Sequence, residues 1–337
     1  MKAIGFKTSL PINEADSFIL FDKEIPVAKD KELLVKVQAI SVNPVDFKVR
    51  QNSLKDKVQE TPKIIGWDAT GIVEAVGENV SLFKKGDVVF YAGDITKDGC
   101  NQEYQLIDER IVGNAPKNIS IEQAAAMPLT SLTAWELFFD RMRLSLEKDS
   151  GKSILVIGGA GGVGSIAIQL AKKLLGLTVI ATASRPQTIE WCKKMGADHV
   201  VDHRDLVASV KNAGFEQVDF IVDFVDVNQY WEAFGALIKP QGQIGSISAA
   251  AQPVNLQQIK SRSVSFHWEL MFTRSTFQTE DMEAQHTILN NITRLLDDGI
   301  IQSTLNTTLK GFSVEHLKEA HRFLESGTAI GKLVISF

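Results

Sequence analysis

The stretch 153–176, SILVIGGAGGVGSIAIQLAKKLLG, constrains this chain more than any other. Residues 153–157 form an unbroken, mostly aliphatic run, as expected of a strand buried on both faces of a parallel sheet. Glycines follow at once, with Gly159, Gly161 and Gly164 in G-x-G-x-x-G spacing, and residues 163–175 are then apolar at helical spacing. A lone glycine match would carry little weight. Strand, turn and helix together predict a dinucleotide-binding βαβ unit. In that reading Gly159 permits the tight turn, Gly161 lets backbone approach a pyrophosphate, and Gly164 lets helix and strand pack closely. The helix N-terminus offers unpaired N–H groups and a positive dipole end to the phosphates. A glycine-rich turn with no ligand is the alternative.

The pattern around this loop fixes the fold class. Strands are expected at 178–183, 199–201, 218–224 and 243–247, with a helix at 189–195 closed by Gly196. Alternation of this kind predicts a doubly wound α/β domain. The first third reads differently. Residues 32–40, 71–76 and 86–91 are short alternating strands with glycines and prolines between them, the mark of an antiparallel barrel or sandwich. Residues 120–139 read as helix, with Ser120 as N-cap. Past 272 the alternation fades into helices at 283–296 and 314–325 and a last strand at 331–337, pieces suited to returning to the first domain. The expected division is 1–124 for the first part of a β-rich domain, 125–272 for the dinucleotide domain, and 273–337 for the returning segments.

Composition excludes several function classes. A net charge of −5 argues against general affinity for nucleic acid or anionic membranes. No run approaches the roughly 20 apolar residues that span a bilayer, and the opening MKAIGFKTSL lacks the apolar core of a secretory signal. Cys100 and Cys192 are too few for a disulfide framework, which suits a reducing, cytoplasmic setting.

The end of the second strand selects the cofactor. An NAD site usually carries Asp or Glu about 20 residues past the loop to hold the ribose hydroxyls. Here the chain reads Thr182-Ala183-Ser184-Arg185. With no acid present, Ser184 can donate to a 2′-phosphate and Arg185 offers it a charged fork, so NADPH is expected. The alternative leaves Arg185 as a solvated surface residue.

At this point the residues resemble a known family. SVNPVDFKVR from Ser41, GWDATGIVEAVGENV from Gly66, FKKGDVV from Phe83, AAAMPLTSLTAWE from Ala124, the glycine loop, MGADHVVD from Met195 and GKLV from Gly331 are together similar to the medium-chain dehydrogenase/reductases, in the zinc-free quinone oxidoreductase (zeta-crystallin-like) branch. The resemblance implies a GroES-like catalytic domain split around a Rossmann domain, a homodimer, and a small-molecule quinone or α,β-unsaturated carbonyl as substrate. Many relatives are zinc alcohol dehydrogenases. Where those place a first Cys, this chain has Asn43-Pro44-Val45-Asp46; where they have Gly-His-Glu, it has Gly66-Trp67-Asp68; all six histidines lie at His199 or later. These ligands suit zinc poorly, so no metal is expected and Asp68 reads as a hydrogen-bonded structural acid.

The resemblance places Asn43 near the substrate carbonyl as a donor to a developing oxyanion; the alternative is a residue that only shapes the turn before Pro44. Lys48 stands where several relatives have Tyr, to polarise a carbonyl, contact the nicotinamide ribose or protonate an enolate, or simply as a solvated lysine. Thr133 is similar to the threonine that touches the nicotinamide, against a helix-interior threonine bonded to its own turn. Cofactor contacts are implied for Ala160, Gly162 and Val163 at the pyrophosphate, Phe224 and Val225 beside the adenine or ribose, Gly245, Ser246 and Ile247 along the nicotinamide edge, and Lys332 as a late contact or as a charge opening an edge strand. Two other functions stay open: a zinc alcohol dehydrogenase, and a non-catalytic NADPH-binding redox sensor.

Overall fold

The computed structural model describes residues 1–337, which divide into two compact units: Met1–Leu129 with Phe272–Phe337, and Thr130–Met271.

The first unit is β-rich. β1 (Lys2–Gly5) and β2 (Ile19–Asp22) form an antiparallel pair. β3 (Glu32–Ser41), β4 (Ala69–Val76), β5 (Val88–Tyr91), β6 (Tyr104–Asp108) and β7 (Val112–Asn114) build most of a larger sheet. Between β3 and β4 lies helix α1 (Pro44–Asn52), with Pro44 in its first turn, where the missing N–H has no helical partner to lose.

The second unit holds β8 (Ser153–Ile157), β9 (Thr178–Thr182), β10 (His199–Val201), β11 (Val218–Asp223), β12 (Ile238–Ser246) and β13 (Ser265–Trp268) in one parallel sheet. The strand order is β10-β9-β8-β11-β12-β13. Order reverses between β8 and β11, and such sheets bind ligands at the carboxyl ends of strands beside that reversal. All five residues of β8 are buried, which is why its sequence lacks the alternation of a half-exposed strand. Leu155, Ile157, Ile180, Ile221, Trp231 and Phe234 belong to one apolar cluster, so sheet and flanking helices share a core.

The chain then returns to the first unit. β14 (Leu305–Lys310) pairs in parallel with β15 (Lys332–Ser336), and β15 runs antiparallel to β3 with Val334 opposite Ser41. The sheet order becomes β14-β15-β3-β4-β5-β7, with β6 also on β3. The GroES-like plus Rossmann fold class expected from the sequence is the one observed.

Local differences have physical causes. The continuous helix expected over 120–139 is broken into Ile121–Ala125 and Pro128–Trp135, because Pro128 can only begin a helix. It continues as a π-helical turn, Glu136–Arg141. Strands β2, β6, β7, β13 and β14 are not legible in the sequence, because their segments are short or polar. No helix is long and apolar enough to cross a membrane.

Candidate functional site

In the second unit the glycine loop joins β8 to the helix Gly162–Lys173. The left-handed residue of the turn is Gly158, at φ +80°, and not Gly159 as read from the sequence spacing. Gly159 is required by packing: a Cβ there would lie 2.8 Å from the Ala181 Cβ. A Cβ on Gly164 would stand 2.2 Å from the Gly158 carbonyl oxygen, so only glycine lets this helix sit so close to its strand. Gly161 precedes the helix as N-cap, and the amides of Gly162 and Val163 open the first turn without carbonyls four residues back. Ala160, buried, completes the loop. The free amides of that first turn suit a pyrophosphate.

Thr182 ends β9, and its hydroxyl accepts the Gly158 N–H at 2.9 Å, tying loop to neighbouring strand. Arg185 is exposed and caps the helix Pro186–Met195. The Ser184 hydroxyl lies 3.3 Å from Nε2 of His203, a residue the sequence reading did not single out. The turn after β11 is held by Asp223, fully buried, whose carboxylate accepts the N–H groups of Val225 and Asp226 and the hydroxyls of Ser246 and Ser248. Asp223 thereby fixes Phe224 and the exposed Val225, and it engages the Ser246 hydroxyl. Nothing in the sequence pattern distinguishes this aspartate from a strand-end acid.

Gly245 is explained by close approach: a Cβ there would come within 2.8 Å of Leu137, in the π-helical turn, and 3.1 Å of the sulfur of Met142, which caps that turn. Arg141 of that turn binds the buried Glu269 carboxylate at 2.7 Å and sits 3.8 Å from Glu136. Ile247 follows on β12, half-buried, and Thr133 is buried in Pro128–Trp135.

In the first unit, Asn43, Asp68 and Lys332 meet in the interior, almost wholly shielded from water. The Lys332 ammonium donates to the Asp68 carboxylate at 2.9 Å, to the Val42 carbonyl at 3.2 Å and to Oδ1 of Asn43. Asn43 Nδ2 donates to Asp68 at 2.9 Å and to the Trp67 carbonyl at 3.0 Å. Asp68 also accepts the Leu129 N–H at 2.7 Å. All three hydrogens of the ammonium and both of the amide are therefore directed at protein atoms. The expected roles of Asn43 as a donor to substrate and of Lys332 as a cofactor contact find no donor left over, and both residues belong instead to an internal network.

Asp46 completes the cluster. It is wholly buried; one carboxyl oxygen accepts the Asn43 backbone N–H at 2.7 Å, and the other has no partner. Burial is the largest influence on it and pushes its pKa up to about 7, against the pull of the Asn43 N–H and Lys332. Burial likewise pushes Asp68 upward, opposed by Lys332, Asn43 and the Leu129 N–H. The Cys100 thiol, beside both acids, is driven well up by burial and is inert as a nucleophile. No group of three or more His, Cys, Asp or Glu side chains is placed to hold a metal ion. Lys48 lies two residues past Asp46, exposed and without an ion pair. At the far end of α1, Arg50 is buried and binds Glu325 and the Leu10 carbonyl.

Trp67 and Phe272 pack edge to face at 5.9 Å in the interior of this unit.

Known proteins place this arrangement. Residues 29–126 match the alcohol dehydrogenase GroES-like domain, and 162–290 match the zinc-binding dehydrogenase family. A zinc-type alcohol dehydrogenase-like protein of Staphylococcus epidermidis is 48% identical over 100% of this chain and 99% of its own. The 2-methylene-furan-3-one reductase of tomato, Solanum lycopersicum, is 33% identical over 92% of this chain and 73% of its own. The crystal structure of Escherichia coli quinone oxidoreductase complexed with NADPH superposes with a TM-score of 0.84 at 25% identity, covering 100% of both chains. With a glycine loop between a buried parallel strand and a helix, and relatives matched end to end, this chain belongs to the medium-chain dehydrogenase/reductase superfamily of oxidoreductases, in its quinone-oxidoreductase-like branch.

Proposed function

We propose that this chain is an NADPH-dependent oxidoreductase that reduces a quinone or an α,β-unsaturated carbonyl without a catalytic zinc. The observation that supports it most is the Lys332 ammonium, seated on Asp68 and Asn43 in the stretches where zinc-dependent relatives keep metal ligands. A catalytic zinc takes three protein ligands and leaves one position open. Here Asp68 already faces a cation and two N–H groups, Asp46 belongs to no group of three or more candidate ligands, and Trp67 cannot ligate. The donor set does not fit zinc.

When bound, the reduced nicotinamide supplies hydride. The chain's own residues bind and orient it: the amides of Gly162 and Val163 at the pyrophosphate, and Ser184, Arg185 and His203 as three side chains suited to a 2′-phosphate. Charged hydrogen bonds from an Arg fork to phosphate are among the stronger ones available. On the first unit Lys48 is an exposed cation, suited to stabilising negative charge on a substrate oxygen as hydride arrives, or to delivering the proton that completes reduction. Thr133 is assigned beside the nicotinamide on family resemblance. The free edge of β13, where Trp268 is about half exposed, supports pairing of two copies.

The test is NADPH oxidation with 9,10-phenanthrenequinone and with a simple enone, NADH in parallel and a chelator present. Turnover that prefers NADPH and resists chelation is the expected result. Chelator-sensitive alcohol oxidation with stoichiometric zinc overturns the proposal. Tight NADPH binding with no acceptor reduced above background points to the sensor instead.

A further inference from the structure

The first unit buries two carboxyl groups, Asp46 and Asp68, around a single ammonium, Lys332. The groups facing Asp46 are Lys332 from β15, Asp68 from the segment before β4, and the Cys100 thiol from the loop before β6; Asn43 on its own element gives one N–H. Asp68 takes the ammonium, an amide and a backbone N–H. Asp46 takes one N–H, and its other oxygen meets nothing. An ionised carboxylate sealed from water with one oxygen unpartnered is costly, and two buried anions sharing one cation are costlier still. The proton that relieves this belongs on the less supported acid.

We propose that Asp46 is a positioning residue that works as a neutral carboxyl group, leaving the single buried ammonium to Asp68 and Asn43 and so holding the start of α1 in one arrangement. An ionised Asp46 competes for Lys332 and draws it from Asn43, whose backbone begins the helix. Because Arg50 pins the other end of α1, that shift is felt at Lys48 between them. The placement of Lys48 at the chemistry rests on the function proposed above; the protonation of Asp46 does not.

The experiment is infrared spectroscopy of the whole protein in the carboxylic-acid C=O region, from pH 5 to pH 9, for the wild type and Asp46→Asn. Expected is a protonated-carboxyl band in the wild type that disappears with a midpoint near the raised value of about 7 and is missing from the variant. A band unchanged in the variant, or none in the wild type at pH 6, overturns the proposal. Should Asp46→Asn not fold, the wild-type titration alone decides: a band lost with a midpoint below about 5, in the ordinary carboxyl range, overturns it. The kinetic arm uses any acceptor found active. The wild-type kcat at pH 6 exceeds that at pH 8.5 by about threefold or more, and in the variant this ratio falls towards one. Equal ratios in both proteins overturn the positioning role even where the infrared band behaves as expected.

Discussion

Removing the Lys332 ammonium is the sharpest test of the internal network. In Lys332→Met the stem is replaced at similar volume and the charge is lost. The ammonium and the Asp68 carboxylate are 2.9 Å apart and nearly water-free, so their gross attraction at an effective dielectric of 20 is about 6 kcal/mol. Much of that is offset by desolvating both ions. What the variant suffers is the stranding of Asp68, and breaking one side of a buried pair typically costs about 3–5 kcal/mol. That is a large part of the roughly 5–15 kcal/mol that holds a folded protein together. The double variant Lys332→Met/Asp68→Asn removes the stranded charge and should recover a clear share of the loss. The sign with pH follows. Without Lys332 the folded-state pKa of Asp68 moves further above its unfolded value of 3.8. A raised acid contributes stability below its unfolded pKa and loses it as pH climbs to the folded one. The deficit of the single variant therefore grows from pH 5.5 to pH 8. Urea unfolding of the wild type, single and double variants at both pH values reads this directly. A deficit independent of pH, or a double variant no more stable than the single, refutes the argument that Lys332 neutralises Asp68.

Two further outcomes concern the cofactor side. Arg185→Ala should weaken NADPH binding by about tenfold, the low end for a charged hydrogen bond because the residue is exposed, and leave NADH nearly unaffected; titration of nicotinamide fluorescence checks it, and equal losses for both cofactors show that Arg185 does not read the 2′-phosphate. Gly164→Ala sets a methyl carbon 2.2 Å from a backbone oxygen that has nowhere to move; a loss of about 1–3 kcal/mol in thermal unfolding, with weakened binding of both cofactors alike, is expected, and an unchanged melting temperature would mean the loop is looser than its packing implies.

What could be read in the sequence was whatever depends on local pattern. The run at β8, its glycines and the helix after them are contiguous, so periodicity and turn chemistry sufficed to place the strand, the glycine turn and the helix. Even there, spacing misassigned the turn residue to Gly159, because the backbone conformation of a glycine leaves no trace in neighbouring residue types. The Asn43–Asp68–Lys332 network was beyond reach for a different reason. Asn43 and Lys332 lie 289 positions apart and meet only because β15 returns to pair with β3. A lysine opening a C-terminal strand looks like an exposed edge charge until the strand is known to be interior. Asp223 and His203 are hidden for a similar reason: Ser246 and Ser248 reach Asp223, and Ser184 meets His203, from distant positions in the chain, and a single acid or histidine near a strand end carries no spacing signal.

In the zinc-free reading proposed above, an ammonium takes the place of a metal, and that bears on which substrates such an enzyme would reduce. Zinc and ammonium each balance a buried carboxylate, but zinc keeps an open position at which a substrate oxygen can bind and be polarised. The ammonium has three hydrogens and no vacant orbital, and here all three are taken by Val42, Asn43 and Asp68. Its charge therefore organises the protein interior and is not offered to a reacting group. Electrophilic help must come from a group with a free donor, and on this unit Lys48 is such a group. One exposed, hydrated lysine stabilises an oxyanion far less than a water-excluded metal does. Under that proposal, hydride transfer would lean on an acceptor that is already electron-poor, in which the incoming charge is spread over a quinone ring or an enone rather than placed on a single alkoxide oxygen. Simple ketones and aldehydes lack that delocalisation, which is why the network at Lys332 argues for conjugated acceptors before any substrate is tried.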